Sequence, residues 1–247
     1  MPWSRCSRNS GTDMGRVFAA LVRHGDYHQL PDTPSAHQPF PLNPRGEEQA
    51  RAAAEILRGM LRRHGWQPVL EIDSSMLLRA WQTADIIADQ LAGVAGSELH
   101  VDSFEALAER GLGSAANLSM TQIRDVIHQD PRFPDLPSNW KADSHYRLPL
   151  QGAESLLEAG KRVAAHLRRR VMELGPAGDA DRLKIFVGHG AALRHAAYHL
   201  GVLDQGQIAK LSMYHGQPVV LEFLPGGLWR HVDGDWKLRT PAVEELD

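Results

Sequence analysis

Residues 17–26 read VFAALVRHGD, an apolar run that stops abruptly at charge and glycine. Such a run predicts a buried strand that leads into a loop. In an open α/β sheet, ligands bind beyond the carboxyl ends of the strands, so the residues that follow are candidates for chemistry. Arg23 offers a fork of donors that suits a phosphate or carboxylate, His24 can attack as a neutral imidazole, and Gly25 leaves space for backbone near an anion. Alone, these three residues are a weak signal.

Composition narrows the class of protein. The chain has 247 residues, of which 43% are hydrophobic and 23% charged, and its net charge is −3. This balance gives no support for a nucleic acid or a membrane surface as the partner. The single cysteine, Cys6, excludes an internal disulfide and a cysteine-based metal cluster. No apolar run approaches the ~20 residues of a membrane span. Residues 1–15 contain Ser, Asn, Gly and Asp and lack the apolar core of a signal peptide, so we expect a flexible leader there and a cytoplasmic enzyme.

Strands alternate with helices along the rest of the chain. The apolar patterns predict strands at 69–73, 99–101 and 183–187, helices at 44–64, 80–91, 121–129, 154–174 and 191–200, and a β-hairpin over 218–232. No internal repeat is present. This order predicts one layered α/β domain over residues 16–240, followed by a short tail at 241–247.

Residues 111–152 depart from this pattern. Four prolines interrupt one short helical stretch, and the apolar content is too thin for a separate core. We therefore expect an insertion that covers the site rather than a second domain. Together with the long loop over 27–43, this insertion is expected to decide the substrate. Candidate substrate contacts are Asn43, Arg132, Lys141 and Arg147.

Two further predicted strand ends carry polar groups. Arg79 follows the second strand, and Gly188-His189-Gly190 follows the clearest strand of the chain. Such residues suit a phosphoryl group, because arginines neutralise its oxygens bidentately and the helix that begins near His189 adds backbone donors. The crowded positive charge is expected to keep His24 unprotonated near neutral pH. Glu109 could protonate a leaving oxygen.

Taken together, these segments resemble the histidine phosphatase superfamily, in the branch that contains the cofactor-dependent phosphoglycerate mutases. The resemblance extends from about Val17 to Leu224. In chain order it is carried by LVRHG at 21–25, PLNPRGEEQA at 41–50, SSMLLRAWQTA at 74–84, LAERGLG at 107–113, GAES at 152–155 and VGHG at 187–190. It implies an α/β/α fold with a mixed, mostly parallel sheet of about six strands.

The resemblance also implies roles for the site residues. His24 would become phosphohistidine, Arg23, Arg79 and His189 would complete the phosphate pocket, and Glu109 would donate the proton. The implied activity is hydrolysis of a small phosphomonoester, without a metal or another cofactor. The interpretation leaves room for a homodimer.

Departures from the family pattern favour a phosphatase over a mutase. Asp26-Tyr27 follows the Arg-His-Gly motif, a pairing more like that of phosphohistidine phosphatases. The stretch Gly111-Leu112-Gly113-Ser114 replaces a Tyr-Gly of the mutases, and no adjacent arginine pair follows it before Gly152. Two alternatives stay open: mutase-type phosphoryl transfer, and a regulatory phosphatase directed at phosphoproteins or phosphohistidine.

Two other patterns are assigned to structure rather than to chemistry. His195 and His199 lie four residues apart, which is a metal-ligand spacing, but their predicted helix is otherwise apolar and no glutamate follows His195. We interpret them as packing or surface histidines. The basic run Arg168-Arg169-Arg170 predicts a solvated helix face.

Overall fold

A computed structural model describes residues 15–34, 37–175 and 178–239. In this part of the chain the strands are β1 (Val17–Arg23), β2 (Gln67–Ser75), β3 (His100–Phe104), β4 (Arg182–Gly188), β5 (Leu211–Ser212), β6 (Val219–Phe223), β7 (Trp229–Asp233) and β8 (Lys237–Leu238). The α-helices are α1 (Pro44–His64), α2 (Leu78–Ala95), α3 (Met120–Gln129), α4 (Leu156–Glu173), α5 (Gly190–His199) and α6 (Gln205–Lys210). Single 3-10 turns lie at Glu105–Leu107, Gly113–Ala115 and Pro225–Gly227. The predicted leader up to residue 14 and the predicted tail lie outside the described residues.

The central sheet has the strand order β3-β2-β4-β1-β6-β7 within the described residues. Strands β1, β2, β3 and β4 are parallel to one another. Strand β6 is antiparallel to β1, and β7 is antiparallel to β6. Every residue of β1 is buried between β4 and β6, as expected for an unbroken apolar run. This position brings the residues after Arg23 to the carboxyl edge of the parallel strands, near the middle of the six-stranded sheet.

Helices cover both faces of the sheet. Side chains alternate along β1, so Phe18 and Val22 enter a core shared with α1 and α2. Val17 and Leu21 enter a second core, shared with α4 and α5. The predicted three-layer α/β/α fold with a mostly parallel, mixed sheet is therefore confirmed.

The ends of α1 show how local sequence sets an element. The side-chain oxygen of Asn43 accepts a hydrogen bond of 2.8 Å from the backbone N–H of Gly46, and Pro44 suits the first helical turn. At the other end, Gly65 adopts φ 69° and closes the helix. The predicted bounds of this helix are confirmed. Among the described residues, no helix combines the length and the apolarity needed to cross a lipid bilayer.

Three short elements were absent from the sequence prediction. Helix α6 has six residues, and β5 and β8 have two residues each. Elements of this length are too short for a periodic pattern. Strands β5 and β8 pair antiparallel and form a small second sheet, with Leu211 opposite Leu238 and Ser212 opposite Lys237.

The insertion over residues 111–152 has a core of its own, so the expectation that its apolar content was too thin for one was wrong. The buried members of this cluster within the insertion are Leu112, Ala115, Ile123, Trp140 and Leu148, and Ala153, directly after it, joins them. They are scattered between prolines and turns without a regular period, so the sequence pattern does not reveal them. The segment also joins the rest of the chain through a hydrogen bond of 2.8 Å from Met120 N–H to the carbonyl of Asp32.

Candidate active site

Strands β1 and β4 bring two histidines together. They are parallel neighbours, and Arg23 pairs in register with Gly188. The backbone N–H of His24 donates to the Gly188 carbonyl at 3.0 Å. Because each histidine directly follows its strand, the two imidazole rings of His24 and His189 lie 5.0 Å apart, centroid to centroid.

Arg79 lies between the two histidines. Strand β2 is parallel to β4, so the start of α2 reaches the same edge of the sheet. The Arg79 Nε donates to His24 Nε2 at 3.1 Å, and its Nη2 contacts His189 Nδ1 at 3.3 Å. This guanidinium is fully buried. The structure therefore brings three of the predicted site residues into direct contact.

The hydrogen bonds assign a tautomer to His24. Its Nδ1 lies 2.7 Å from the carbonyl oxygen of Gly25, which can only accept, so Nδ1 carries the proton. Nε2 then keeps its lone pair, which faces Arg79. Burial is the main cause that lowers the pKa of His24 well below its usual value, followed by the charge of Arg79. The lowered pKa of His24 agrees with the expectation that its imidazole is neutral. Burial lowers this pKa more than the neighbouring positive charges do.

His189 is also held neutral. Its Nδ1 accepts from Arg79, so its Nε2–H donates to Ser75 Oγ at 2.9 Å. Burial, and then the charge of Arg79, lowers the pKa of His189 well below its usual value. Ser75 ends β2 and was not singled out from the sequence, since a serine at a strand end carries no distinct signal.

Two further residues, which the sequence analysis did not assign to the site, hold Arg79 in place. Its Nη1 donates to the carbonyl of Gln38 at 2.9 Å. The Tyr27 ring lies against the guanidinium, 4.2 Å from its central carbon, and meets the His24 ring edge-on at 5.5 Å. The sequence showed Tyr27 only as a departure from the family pattern, and its contact with Arg79 depends on the path of the loop after β1.

Arg23 is held by the backbone at Met213. Its Nη1 donates to the Met213 carbonyl at 3.1 Å, and the side chain is largely buried. Gly190 gives it room, because a Cβ there would lie 3.0 Å from Arg23 Cδ. His215, whose ring centroid is 5.6 Å from that of His24, also borders this region. No local sequence signal pointed to His215.

Glu109 is positioned by backbone donors. Its Oε2 accepts from the N–H of Ala191, in the first turn of α5, at 3.0 Å, and its Oε1 accepts from the N–H of Arg110 at 2.8 Å. The half-buried carboxylate lines the same pocket as His24 and Arg79. A helix N-terminus stabilises negative charge, so the first turn of α5 holds this carboxylate at the pocket.

The predicted substrate contacts separate into two groups. Lys141 lines the pocket, whereas Asn43, Arg132 and Arg147 are not among the described residues that line it. Asn43 caps α1 and its Nδ2 donates to Asp26 Oδ2 at 3.2 Å. Arg132 pairs with the Asp130 carboxylate at 2.6 Å. Arg147 pairs with Glu158 at 3.3 Å and is exposed. A substrate contact for Lys141 therefore stays a prediction at a residue that lines the pocket, whereas the other three residues have partners elsewhere.

His195 and His199 are packing residues, as predicted. His195 Nδ1 lies 2.7 Å from the Ala191 carbonyl, and its Nε2 lies 3.0 Å from Ser144 Oγ. His199 Nε2 lies 2.8 Å from the Leu157 carbonyl. Each ring is committed to protein partners rather than directed at a common point.

Comparison with known proteins agrees with this geometry. The model of the histidine phosphatase superfamily (branch 1) matches residues 19–233. The chain belongs to the histidine phosphatase superfamily. The family predicted from the strand-end motifs is therefore confirmed, and the histidine phosphatase fold accounts for the meeting of these motifs at one edge of the sheet.

Curated relatives of this histidine phosphatase include 2,3-bisphosphoglycerate-dependent phosphoglycerate mutases. The protein from Parvibaculum lavamentivorans is 25% identical over 73% of this chain and 78% of its own length. That from Rhizobium meliloti is 27% identical over 81% and 87%, respectively. The mitochondrial serine/threonine-protein phosphatase Pgam5 of Drosophila virilis is 23% identical over 84% of this chain and 58% of its own length.

Solved structures share the fold. Native mycobacterial glucosyl-3-phosphoglycerate phosphatase superposes with a TM-score of 0.63 at 23% identity, over 87% of this chain and 96% of the other. A phosphoserine phosphatase mutant from Entamoeba histolytica, in complex with phosphoserine, gives a TM-score of 0.59 at 19% identity, over 88% and 96%. At this identity the likeness extends to the fold alone.

Proposed function

We propose that this histidine phosphatase hydrolyses a phosphomonoester through a phosphohistidine intermediate. The observation that carries the proposal is the state of His24: Nδ1 is engaged by the Gly25 carbonyl at 2.7 Å, and Nε2 presents a lone pair beside Arg79. An imidazole whose pKa is lowered stays neutral, and therefore nucleophilic, at physiological pH.

The proposed first step transfers the phosphoryl group. His24 Nε2 attacks phosphorus, the P–N bond forms and the bond from phosphorus to the ester oxygen breaks. Arg79 gives up its hydrogen bond to Nε2 and binds phosphoryl oxygens together with Arg23, so developing charge is neutralised by groups already in position. Glu109, in its protonated form, gives its proton to the leaving alkoxide.

The second step releases phosphate. Water attacks phosphorus, the Glu109 carboxylate takes a proton from that water, and the P–N bond breaks to return His24 as a neutral imidazole. The proton that Glu109 lost in the first step is thereby restored. We assign His189 to the phosphate-binding wall, since its Nδ1 and the nucleophile share Arg79 as a partner.

His24→Ala tests the nucleophile. We expect turnover to be abolished, because the proposal assigns the attack on phosphorus to the lone pair of His24 Nε2. Acid-labile, base-stable phosphate should be trapped on the wild-type protein and be absent from the variant. His28→Ala, an exposed histidine of the same loop, is the control and should keep both turnover and labelling. Turnover of His24→Ala close to that of wild type would reject the assignment.

Mutase activity is the second candidate, favoured by the names of the curated relatives. Against it, Arg132 and Arg147 of the insertion pair with Asp130 and Glu158. A mutase depends on a bisphosphorylated primer and conserves the phosphoryl group, whereas a phosphatase releases free phosphate without a primer. Measuring phosphate release with and without 2,3-bisphosphoglycerate separates the two. A third candidate, a phosphoprotein-directed phosphatase, predicts turnover of phosphopeptides in the same assay.

Three wider expectations belong to the same proposal. The catalytic domain spans residues 16–240, the substrate is a small phosphorylated molecule, and the enzyme works in the cytoplasm. A homodimer is compatible with this proposal. Cell fractionation tests the location, and sedimentation of the purified chain tests the oligomeric state.

A further inference from the structure

Glu109 lies in an irregular stretch of chain rather than in an α-helix or a strand. It follows the 3-10 turn at Glu105–Leu107, and residues 108–111 have no regular secondary structure. The side chain of Leu107, 1% exposed, packs into the core between the sheet, α4 and α5. A general acid must lie within hydrogen-bond reach of the leaving oxygen, so further contacts are needed to fix the chain between Leu107 and Glu109.

Arg162 of α4 binds the backbone of this stretch. Its Nη1 donates to the carbonyls of Ala106 and Ala108 at 3.0 Å each, and its Nη2 lies 3.4 Å from the Glu109 carbonyl. A guanidinium is planar and presents its N–H groups in a fixed fork, so it holds these carbonyls in one arrangement. One side chain therefore sets the path of the backbone up to the proposed general acid.

The carboxylate of Glu154 fixes the guanidinium of Arg162. Its Oε1 accepts from Arg162 Nε at 2.9 Å, and its Oε2 accepts from Nη2 at 2.7 Å, a bidentate pair. The same Oε2 accepts from the N–H of Gly111 at 3.1 Å, and the N–H of Glu154 donates to the Gly111 carbonyl at 2.8 Å. One ion pair thus binds the chain on both sides of Glu109.

The ion pair of Arg162 and Glu154 lies outside the pocket. Neither residue is among the described residues that line it, and each side chain is 26% exposed. The pair therefore acts on the site through the backbone that it binds. The carboxylate of Glu109 has a separate anchor in the N–H of Ala191, at 3.0 Å. Glu109 is consequently held at both ends, its backbone by Arg162 and its carboxylate by α5.

We infer that Arg162 is a positioning residue for Glu109, with Glu154 as the carboxylate that fixes its guanidinium. Arg162 holds the backbone at Ala106 and Ala108 so that the Glu109 carboxylate reaches the leaving oxygen. The inference rests on the proposed function, because it deepens the role of Glu109 as general acid. Arg162 takes no part in proton transfer, and it sets the geometry from which Glu109 delivers the proton.

Two esters with different leaving groups separate positioning from folding. Propyl phosphate releases a poor alkoxide that needs a proton from Glu109, whereas p-nitrophenyl phosphate releases a stable anion. We expect Arg162→Gln to lower kcat for propyl phosphate about 10²-fold, the effect of displacing a catalytic group by about 1 Å, with KM little changed. The variant should keep most of its kcat for the aryl ester, whereas a purely structural role would lower turnover of both esters alike.

Three further variants make this comparison specific. Arg162→Lys keeps the charge without the planar fork, so it should recover part of the loss. Glu154→Gln, which removes the charge of the bound carboxylate and keeps an acceptor oxygen, should show the same difference between the esters in weaker form. Lys161→Gln, at the exposed neighbouring cation of α4, is the matched control and should change turnover of neither ester.

A double variant tests whether Arg162 acts through Glu109. Arg162→Gln combined with Glu109→Gln should lose no more kcat for propyl phosphate than Glu109→Gln alone, because a positioning residue has no effect once the acid is absent. If Arg162→Gln does not fold, Arg162→Lys and Glu154→Gln are combined with Glu109→Gln in the same comparison.

The outcomes separate the inference from the function beneath it. Equal losses of Arg162→Gln on the two esters, or losses that add in the double variant, would reject the positioning role while the general acid and the phosphatase activity stand. If Glu109→Gln itself shows no difference between the esters, the roles of Glu109 and Arg162 both fall, and hydrolysis through His24 stands. If the wild type hydrolyses neither ester and no other monoester, the proposed function falls and the inference with it.

Discussion

His24, His189 and His195 are all buried at 4% exposure or less. Burial is the largest cause of the lowered pKa of each, and for His195 the pKa falls to about 3. Desolvation disfavours the charged imidazole, so the fold keeps these rings neutral before any neighbouring charge is considered. At the scale of the residue, burial at the sheet edge therefore keeps His24, the proposed nucleophile, in its neutral form.

The lowered pKa values of these three histidines predict how the free energy of unfolding depends on pH. In the unfolded chain a histidine titrates near pH 6.5, whereas these folded histidines titrate well below it. Between these two pKa values the unfolded state binds more protons than the folded state does. The free energy of unfolding therefore has its full value above pH 6.5 and decreases as the pH drops below 6.5. Each buried histidine contributes up to about 1.4 kcal/mol per pH unit between these pKa values.

Urea unfolding at pH 7.5 and pH 5.5 measures this effect. His24→Asn keeps a donor for the Gly25 carbonyl but cannot be protonated, so its loss of stability between the two pH values should be smaller than that of wild type. An identical loss in both proteins would contradict the assignment of His24 as a buried, neutral histidine.

Glu109→Gln tests the general acid. A general acid contributes ~10²–10⁴-fold when the leaving group is a poor one, such as an alkyl alkoxide. An aryl phosphate such as p-nitrophenyl phosphate leaves as a stable anion and needs little protonation. We expect the variant to lose far more activity on propyl phosphate than on the aryl ester, in steady-state assays of both. Equal losses would assign Glu109 to structure or binding, and Glu105 would be tested next.

At the scale of elements, the loop after β1 and the start of α1 meet backbone to backbone. A Cβ on Gly25 would lie 2.3 Å from the Gly46 carbonyl oxygen, and a Cβ on Gly46 would lie 1.9 Å from that of Asp26. Asn43 strengthens this junction, because its N–H donates to the same Asp26 carbonyl at 3.1 Å. The glycines that the motif supplies are therefore needed to pack α1 against the loop that carries His24.

Gly46→Ala should consequently damage both stability and catalysis. The added methyl group must displace backbone next to the nucleophile, so we expect a loss of more than about 2 kcal/mol in the free energy of unfolding, together with a lower kcat. Gly59→Ala in the same helix is the control, since a Cβ there meets nothing within 4 Å. Denaturant unfolding should find Gly59→Ala stabilised by up to about 1 kcal/mol. Equal stability of the two variants would contradict this contact.

At the scale of the whole molecule, a buried ion cluster ties α4 to the sheet. Asp73 of β2 lies 2.6 Å from Lys184 Nζ of β4, and it accepts from His166 and Arg170 of α4 at 2.8 Å each. Asp73 and Lys184 are fully buried. Burial raises the pKa of Asp73, but the hydrogen bonds from His166 and Arg170 and the charge of Lys184 together lower it to about 2. Arg170 is thus a bound residue, so the predicted solvated face for the basic run at 168–170 was wrong at this position.

Removing the charge of one residue from this buried ion cluster should lower the free energy of unfolding. Asp73→Asn removes the carboxylate nearest to the buried charge of Lys184, and we expect a loss of about 3–5 kcal/mol in the free energy of unfolding. Asp73→Leu combined with Lys184→Met, which removes both charges, should recover part of the loss. Glu55→Gln, which breaks the exposed pair with Arg58, is the control and should cost less than about 1 kcal/mol. Unfolding in urea compares the four proteins, and a small effect of Asp73→Asn alone would reject the argument.

The sequence by itself determined the family, the three-layer fold and the meeting of His24, Arg79 and His189. Each of these residues follows a strand whose apolar run is visible locally, and the carboxyl ends of parallel strands share one edge of a sheet. The same reasoning correctly assigned His195 and His199 to packing.

Only the tertiary structure decided the contacts that join distant, non-periodic segments. Ser75, Tyr27 and Gln38 support the histidines and Arg79 through single hydrogen bonds or ring contacts, which leave no repeating pattern in the chain. Arg194 and Arg239 line the same pocket because two-residue strands pair, and such strands are too short to predict. Local patterns record which face of an element is buried, whereas the partner of an individual polar side chain is set only when the elements pack.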